Sequence, residues 1–158
     1  MNRHAVSPLI VALSLLAGSA SLAQDELPDT ARLMTAYELL TLYGGKSWEW
    51  ENGAAFMKEE GRQLVAWYGE AESFGYTRGR WTATDTGRFC LVAKWITRED
   101  TYPKRTCFEH RVDGGTIYQR SLPEGSWYIF KHNLTETEDE YNKIVPEDLA
   151  SSIVGDRP

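Results

Sequence analysis

The chain has 158 residues, with 17 Lys or Arg against 23 Asp or Glu and a formal net charge of −6 at pH 7. That balance argues against nucleic acid as a partner, because binding there is driven by the release of phosphate counterions to Lys and Arg. Six Trp, eight Tyr and five Phe make a heavy aromatic load for a chain of this length, and aromatic residues favour strands.

Residues 1–23 read as a secretory signal peptide: a basic start at Arg3, an apolar run from Pro8 to Ala17, and Ser21-Leu22-Ala23 as an A-x-A-like cleavage site. The run is too short to span a bilayer, and nothing later approaches the roughly 18 apolar residues a span needs. No cysteine lies near the cleavage site to carry a lipid anchor. The expected mature chain begins at Gln24, is periplasmic or secreted, and has no transmembrane segment. Cleavage removes Arg3 and leaves a net charge of about −7, still unsuited to nucleic acid.

The sequence "LMTAYELLTLYGG" from Leu33 to Gly45 predicts a helix. Thr35 with Glu38 three residues on forms a capping box, Met34 is placed to staple onto Leu39, and Gly44 is the expected left-handed stop. Leu39, Leu40, Leu42 and Tyr43 give it an apolar face that something must cover. No second long helix follows, so this one is expected as an outer or lid element.

After Gly45 the pattern changes to short period-2 runs separated by turn residues. Strands are predicted at 46–51, 54–58, 62–68, 76–84, 88–95, 105–112, 116–120 and 126–132. The fold class is therefore mainly β: an antiparallel meander of about eight strands, closed or nearly closed as a barrel. The run Trp127-Tyr128-Ile129-Phe130 is apolar on both faces, which predicts a strand buried on both sides with the helix over its outer face. Residues 24–132 form the helix-plus-barrel domain, and 133–158 an acidic C-terminal segment. In that segment "VPEDLASSIVG" offers a short helix with Pro146 at its start and Gly155 past its end.

Cys90 and Cys107 are the only cysteines, and in an exported protein an even count points to a disulfide. Pairing them sets Phe89 opposite Phe108, Leu91 opposite Thr106 and Arg88 opposite Glu109. One face of the hairpin becomes apolar, and the other carries the disulfide and an opposite-charge pair. A slip of one residue would scramble both faces.

The stretches "MTAYELLTLYGGKSWEW", "GRWTATDTGRFCLVAKW", "TCFEHRVDGGTIYQR" and "WYIFKH" resemble the uncharacterised proteobacterial exported proteins grouped as domain of unknown function 995. The resemblance runs from about Met34 to Ser152. It implies a Gram-negative envelope location and supplies no activity and no functional residues. A looser similarity is to lipocalins, which open with a short helix and a glycine-then-tryptophan signature. Here Gly45-Lys46-Ser47-Trp48 is one residue longer than that signature.

Trp48 and Trp50 share one strand face, with Glu49 and Glu51 on the other. The tryptophans would either wall a ligand cavity or fill a small barrel, and filling is the favoured reading because small barrels commonly fill themselves. If a ligand is held, Trp48, Trp50, Arg80, Trp81, His110 and Tyr118 are the candidate binding residues. Glu49 and Glu51 are expected on a solvated face, with no catalytic role. His110 and His132 fall short of the three protein ligands a zinc site usually needs, so no metal and no cofactor is expected and His110 reads as a hydrogen-bonded core residue. Arg78, Arg80, Arg111 and Arg120 could hold an anionic group or simply balance the acidic excess. The loop at Asp113-Gly114-Gly115 leaves their shared face undecided.

The expected role is a non-catalytic envelope protein binding a small apolar or amphipathic ligand or a protein partner. The alternative is an inhibitor of an envelope-targeting enzyme such as lysozyme. An enzyme comes third, since there is no nucleophile with its base, no metal set and no phosphate loop.

Overall fold

A computed structural model of the chain describes residues 26–157, so the expected signal peptide at 1–23 lies outside the described residues. Twelve elements follow in order: β1 (Arg32–Leu33), α1 (Ala36–Tyr43), β2 (Lys46–Trp50), β3 (Gly53–Met57), β4 (Gln63–Tyr68), β5 (Gly75–Ala83), β6 (Arg88–Thr97), β7 (Thr101–Asp113), β8 (Thr116–Ser121), β9 (Tyr128–Lys131), β10 (Ile144–Val145) and α2 (Ser151–Val154). All strand pairs are antiparallel, and one sheet runs β10-β2-β3-β4-β5-β6-β7-β8-β9, with β1 added along β7. The sheet curls into a half-barrel. Among the described residues β9 and β10 do not pair, and a single 3-10 turn at Glu140–Lys143 packs against both β9 and β2 across the gap.

The central hairpin has the register that the cysteines predict. Cys90 faces Cys107, Phe89 faces Phe108, Leu91 faces Thr106 and Arg88 faces Glu109, and the two cysteines are bonded with their Cα atoms 4.1 Å apart. Closing this loop contributes about 3 kcal/mol in the chain-entropy model. The expected charge pair across that hairpin is not the one formed. Glu109 turns toward β8, where its Oε2 accepts from Arg120 Nη2 at 2.6 Å and Nε at 3.1 Å, and its Oε1 lies 3.5 Å from Arg111 Nε.

Helix α1 is capped as its sequence predicts. Thr35 Oγ1 accepts from the Glu38 N–H at 3.2 Å, and the Glu38 carboxylate accepts from the Thr35 N–H at 2.8 Å. The hydrogen bond from the Arg32 guanidinium, assisted by those from Thr35, holds the Glu38 carboxyl down at about 2. Two details differ from expectation. Gly44 is extended, at φ −61°, and the left-handed residue is Gly45, at φ 68°. Nor does the helix cover the outer face of β9: it plugs one end of the half-barrel, with Leu39 and Tyr43 fully buried. Strand β9 is correspondingly half-buried apart from Phe130, because it lies at the sheet's edge.

The C-terminal segment is a strap. Ile144 pairs with Trp48 and Val145 with Ser47, after which the chain crosses the outer face of β2 to β4. There the Trp67 indole N–H donates to the Leu149 carbonyl at 2.9 Å, and Ala150 and Val154 are buried with Val65. The C-terminal helix begins at Ser151 and not near Pro146. The residues ahead of it are tied to β2 by the Leu149 N–H, which donates to Ser47 Oγ at 3.0 Å.

Candidate functional site

The interior of the half-barrel has two ends. At the end plugged by α1, Tyr43 stacks on Phe89 with ring centroids 3.9 Å apart, and Trp81 packs against Phe89 at 6.0 Å. A buried polar chain threads this core. The Tyr128 hydroxyl donates to Gln119 Oε1, Gln119 Nε2 donates to the Tyr43 hydroxyl at 2.9 Å, and that hydroxyl lies 2.8 Å from His110 Nε2. His110 Nε2 also lies 2.7 Å from Gln119 Nε2, an amide nitrogen that can only donate, so Nε2 is the acceptor of this cluster and the proton sits on Nδ1, 3.4 Å from the Gly87 carbonyl.

Burial pushes the His110 imidazole down to about 3, so the ring is neutral at neutral pH, and burial drives Tyr43 and Tyr128 well above the usual tyrosine range. Each member has a partner, which is the condition for a polar group to be tolerated in an apolar core. The arrangement fixes the closed end, and it leaves His110 with no solvent exposure at all.

The other end is open. A cavity of about 420 Å³ is walled by Trp48 and Trp50 from β2, Tyr68 from β4, Leu91 and Trp95 from β6, and Tyr102, Lys104, Thr106 and Phe108 from β7, with Glu140 from the C-terminal segment. Trp48 marks the boundary. On one side it touches Tyr43 and Phe130 of the filled end, at 5.7 and 6.1 Å, and on the other it faces Phe108 at 5.1 Å. Its indole N–H donates to Glu140 Oε1 at 2.9 Å, while Glu140 Oε2 lies 2.6 Å from Lys143 Nζ.

Trp50 sits at the mouth and is 40% exposed. Its indole lies across Gly53, its cross-strand partner, and the Tyr68 ring lies across Gly75 in the same way; a Cβ at either glycine would run into the ring. The two glycines therefore let both aromatic rings lie flat along the wall. Tyr68 and Trp95 meet at 5.0 Å, and the Tyr68 and Tyr102 hydroxyls are 3.2 Å apart, a hydrogen bond that, with burial, raises the Tyr68 phenol.

Of the six residues proposed from sequence, the structure brings only Trp48 and Trp50 to the cavity. Trp81 and His110 face inward but belong to the filled end, where the Trp81 N–H donates to the Lys58 carbonyl at 2.8 Å. Arg80 and Tyr118 point outward, away from the cavity, since Trp81 and Gln119 beside them point in. The pairing of Asp113 with Thr116 makes the preceding uncertainty a two-residue loop, and it places Arg78, Arg80, Arg111 and Arg120 all on the outer face.

Sequence reasoning missed Tyr68, Trp95, Tyr102, Lys104, Phe108 and Glu140 as cavity residues. The signal for most of them was present. Once Cys90 faces Cys107, alternation alone sets Leu91 and Trp95 on the inner face with Phe89, and Lys104 and Thr106 with Phe108. Glu140 arrives from 92 residues away in the chain and left no such signal. No cluster of three or more His, Cys, Asp or Glu able to hold a metal ion occurs among the described residues.

Fold and site together define a class: a mainly β, curled antiparallel half-barrel with a disulfide on its outer face and an aromatic cavity at one end. The family model described as "Protein of unknown function (DUF995)" matches residues 10–150, and the chain belongs to that family. No curated protein and no solved structure shows significant similarity to it. No helix among the described residues is long and apolar enough to cross a membrane, and a chain carrying a disulfide is compatible with an extracytoplasmic location.

Proposed function

We propose that this is a non-catalytic envelope protein of the periplasm or the secreted fraction, and that it carries a small amphipathic ligand in the cavity beside Trp48 and Trp50. One observation carries the reading: the half-barrel buries Tyr43, Trp81, Phe89 and Phe130 at one end and leaves about 420 Å³ lined by aromatic rings at the other. That volume falls within the range of small-molecule pockets, which are mostly apolar with a few placed polar groups.

The chemistry of the wall narrows the ligand class. Lys104 lines the cavity, and among the described residues no acidic side chain pairs with it. Glu140 is already engaged by Trp48 and Lys143. The ligand is therefore an amphipathic anion, its apolar body among the rings and its carboxylate, sulfonate or phosphate toward Lys104. The test is native mass spectrometry on protein isolated gently from its own source, before and after denaturation. A defined extra mass that disappears on denaturation is the expected result. The bare protein mass, together with no uptake of an amphipathic anion such as anilinonaphthalene sulfonate, would overturn the reading and send the search to protein partners.

A further inference from the structure

The outer surface of β5 to β8 bears a charge pattern that the acidic composition hides. Alternation puts Arg78 and Arg80 of β5, Arg88 and Lys94 of β6, Arg105 and Arg111 of β7, and Arg120 of β8 on one face, with Glu109 and Asp113 of β7 as the acidic residues among them. Arg111 and Arg120 are tied to that glutamate, and Arg78 donates to the Gly155 carbonyl. Arg80, Arg88, Lys94 and Arg105 remain exposed, and no acidic side chain among the described residues pairs with any of them.

These four cations do not converge on a point. Arg88 and Lys94 are six residues apart on one strand, which is roughly 20 Å, while Arg80 and Arg105 flank Val92 on the two neighbouring strands, roughly 5 Å away on each side. Val92 between them is 44% exposed. They line two separate hollows, Arg88 and Arg105 with Arg120 in one and Arg80 and Lys94 with Arg78 in the other, so a single small anion could reach the cations of one hollow only. A rigid polyanion would need one continuous groove matching its phosphates, whereas the two hollows share no lining residue. Lipid headgroups meet neither difficulty, because they diffuse laterally until each finds a cation. The acidic excess of the remaining surface then orients the molecule, since a net charge of −6 repels the same bilayer from every other side.

We infer that the outer face of β5 to β8, centred on Arg80, Arg88, Lys94 and Arg105, docks the protein on the surface of an anionic phospholipid bilayer. This stands apart from the cavity reading, because it uses the opposite face of the same strands. Lys94 and Arg105 lie in the same stretch of the β6–β7 hairpin as the cavity residues Trp95 and Lys104, so a docked molecule holds its cavity near the bilayer surface.

The experiment is co-sedimentation of the purified protein with vesicles of phosphatidylcholine alone and of phosphatidylcholine containing about one third phosphatidylglycerol, at low and at physiological salt. Binding only to the anionic vesicles, weakened by salt, is expected. The variant R80Q/R105Q should bind them about 10- to 30-fold more weakly, from about 1 kcal/mol per basic residue at such a surface. The charge-matched variant K46Q/K58Q, altered outside β5 to β8, should bind as the parent does. Circular dichroism checks that both fold, and K94Q, with a loss of about fivefold, serves if the double variant does not. Equal binding to neutral vesicles, an equal loss in the control variant, or binding to soluble polyphosphate with none to vesicles would each overturn the assignment.

Discussion

At the plugged end of the half-barrel, Tyr43, Trp81, Phe89 and Phe130 are fully buried and packed together, with the Tyr43 hydroxyl closed into a chain with Gln119 and His110 and the Trp81 N–H donating to the Lys58 carbonyl. At the open end, Trp48, Trp50, Tyr68 and Trp95 are likewise aromatic and on the inner face of the same sheet, yet they stand around a cavity. What separates the two is a plug. Helix α1 inserts Leu39 and Tyr43 into one end, and among the described residues nothing equivalent enters the other. Aromatic content therefore does not distinguish core from site; the presence of a covering element does.

The largest effect that could break this comparison is at Phe89. Phe89→Ala removes the ring against which both Tyr43 and Trp81 pack, and it should cost about 3 to 5 kcal/mol in denaturant unfolding. A loss of under about 1 kcal/mol would mean that the plugged end is not the stabilising core.

Next in size is the pH dependence carried by His110. Its folded value, about 3, lies below the ordinary imidazole value of 6.5, so the unfolded chain binds a proton more readily than the folded one. Its contribution is complete above pH 6.5 and is lost as pH falls toward 3, by up to about 1.4 kcal/mol per pH unit. His110→Gln should flatten the stability profile between pH 4.5 and 6.5 relative to the parent. Parallel profiles for the two proteins would show that the ring is not held neutral by its burial.

Trp50→Ala sharpens the contrast from the other side. Trp50 is 40% exposed, so its loss should cost about 1 kcal/mol or less in stability, while uptake of anilinonaphthalene sulfonate should weaken about tenfold. A large destabilisation with unchanged uptake would make the open end ordinary core. The smallest effect is at Lys104. Lys104→Met should weaken the sulfonate probe by about fivefold and leave phenylnaphthylamine, the same rings without the anion, unchanged. Equal losses for both probes would remove the anionic group from the ligand class.

Much of the fold was legible in the sequence, and the reason is local. Hairpins joined by short turns fix their own register, and a single cysteine pair set four cross-strand partners of β6 and β7. The capping box at Thr35 and Glu38 is likewise contained within four residues. Two-residue strands such as β1 and β10 left no pattern, because two residues have no periodicity to read. The outward placement of Arg80 and Tyr118 depended on parity across hairpins whose loops could be counted in two ways.

Composition and alternation by themselves determined a mainly β chain, its helix, its disulfide register and the shared face of Trp48 and Trp50. Those features rest on neighbours within a hairpin or a helical turn. Only the tertiary structure decided that α1 enters the barrel instead of lying over it, that the strap from Glu140 to Val154 completes the wall and covers β2 to β4, and therefore which aromatic rings are core and which line a cavity. Whether an inward face is filled depends on what arrives from far along the chain, and alternation along a strand carries no record of that.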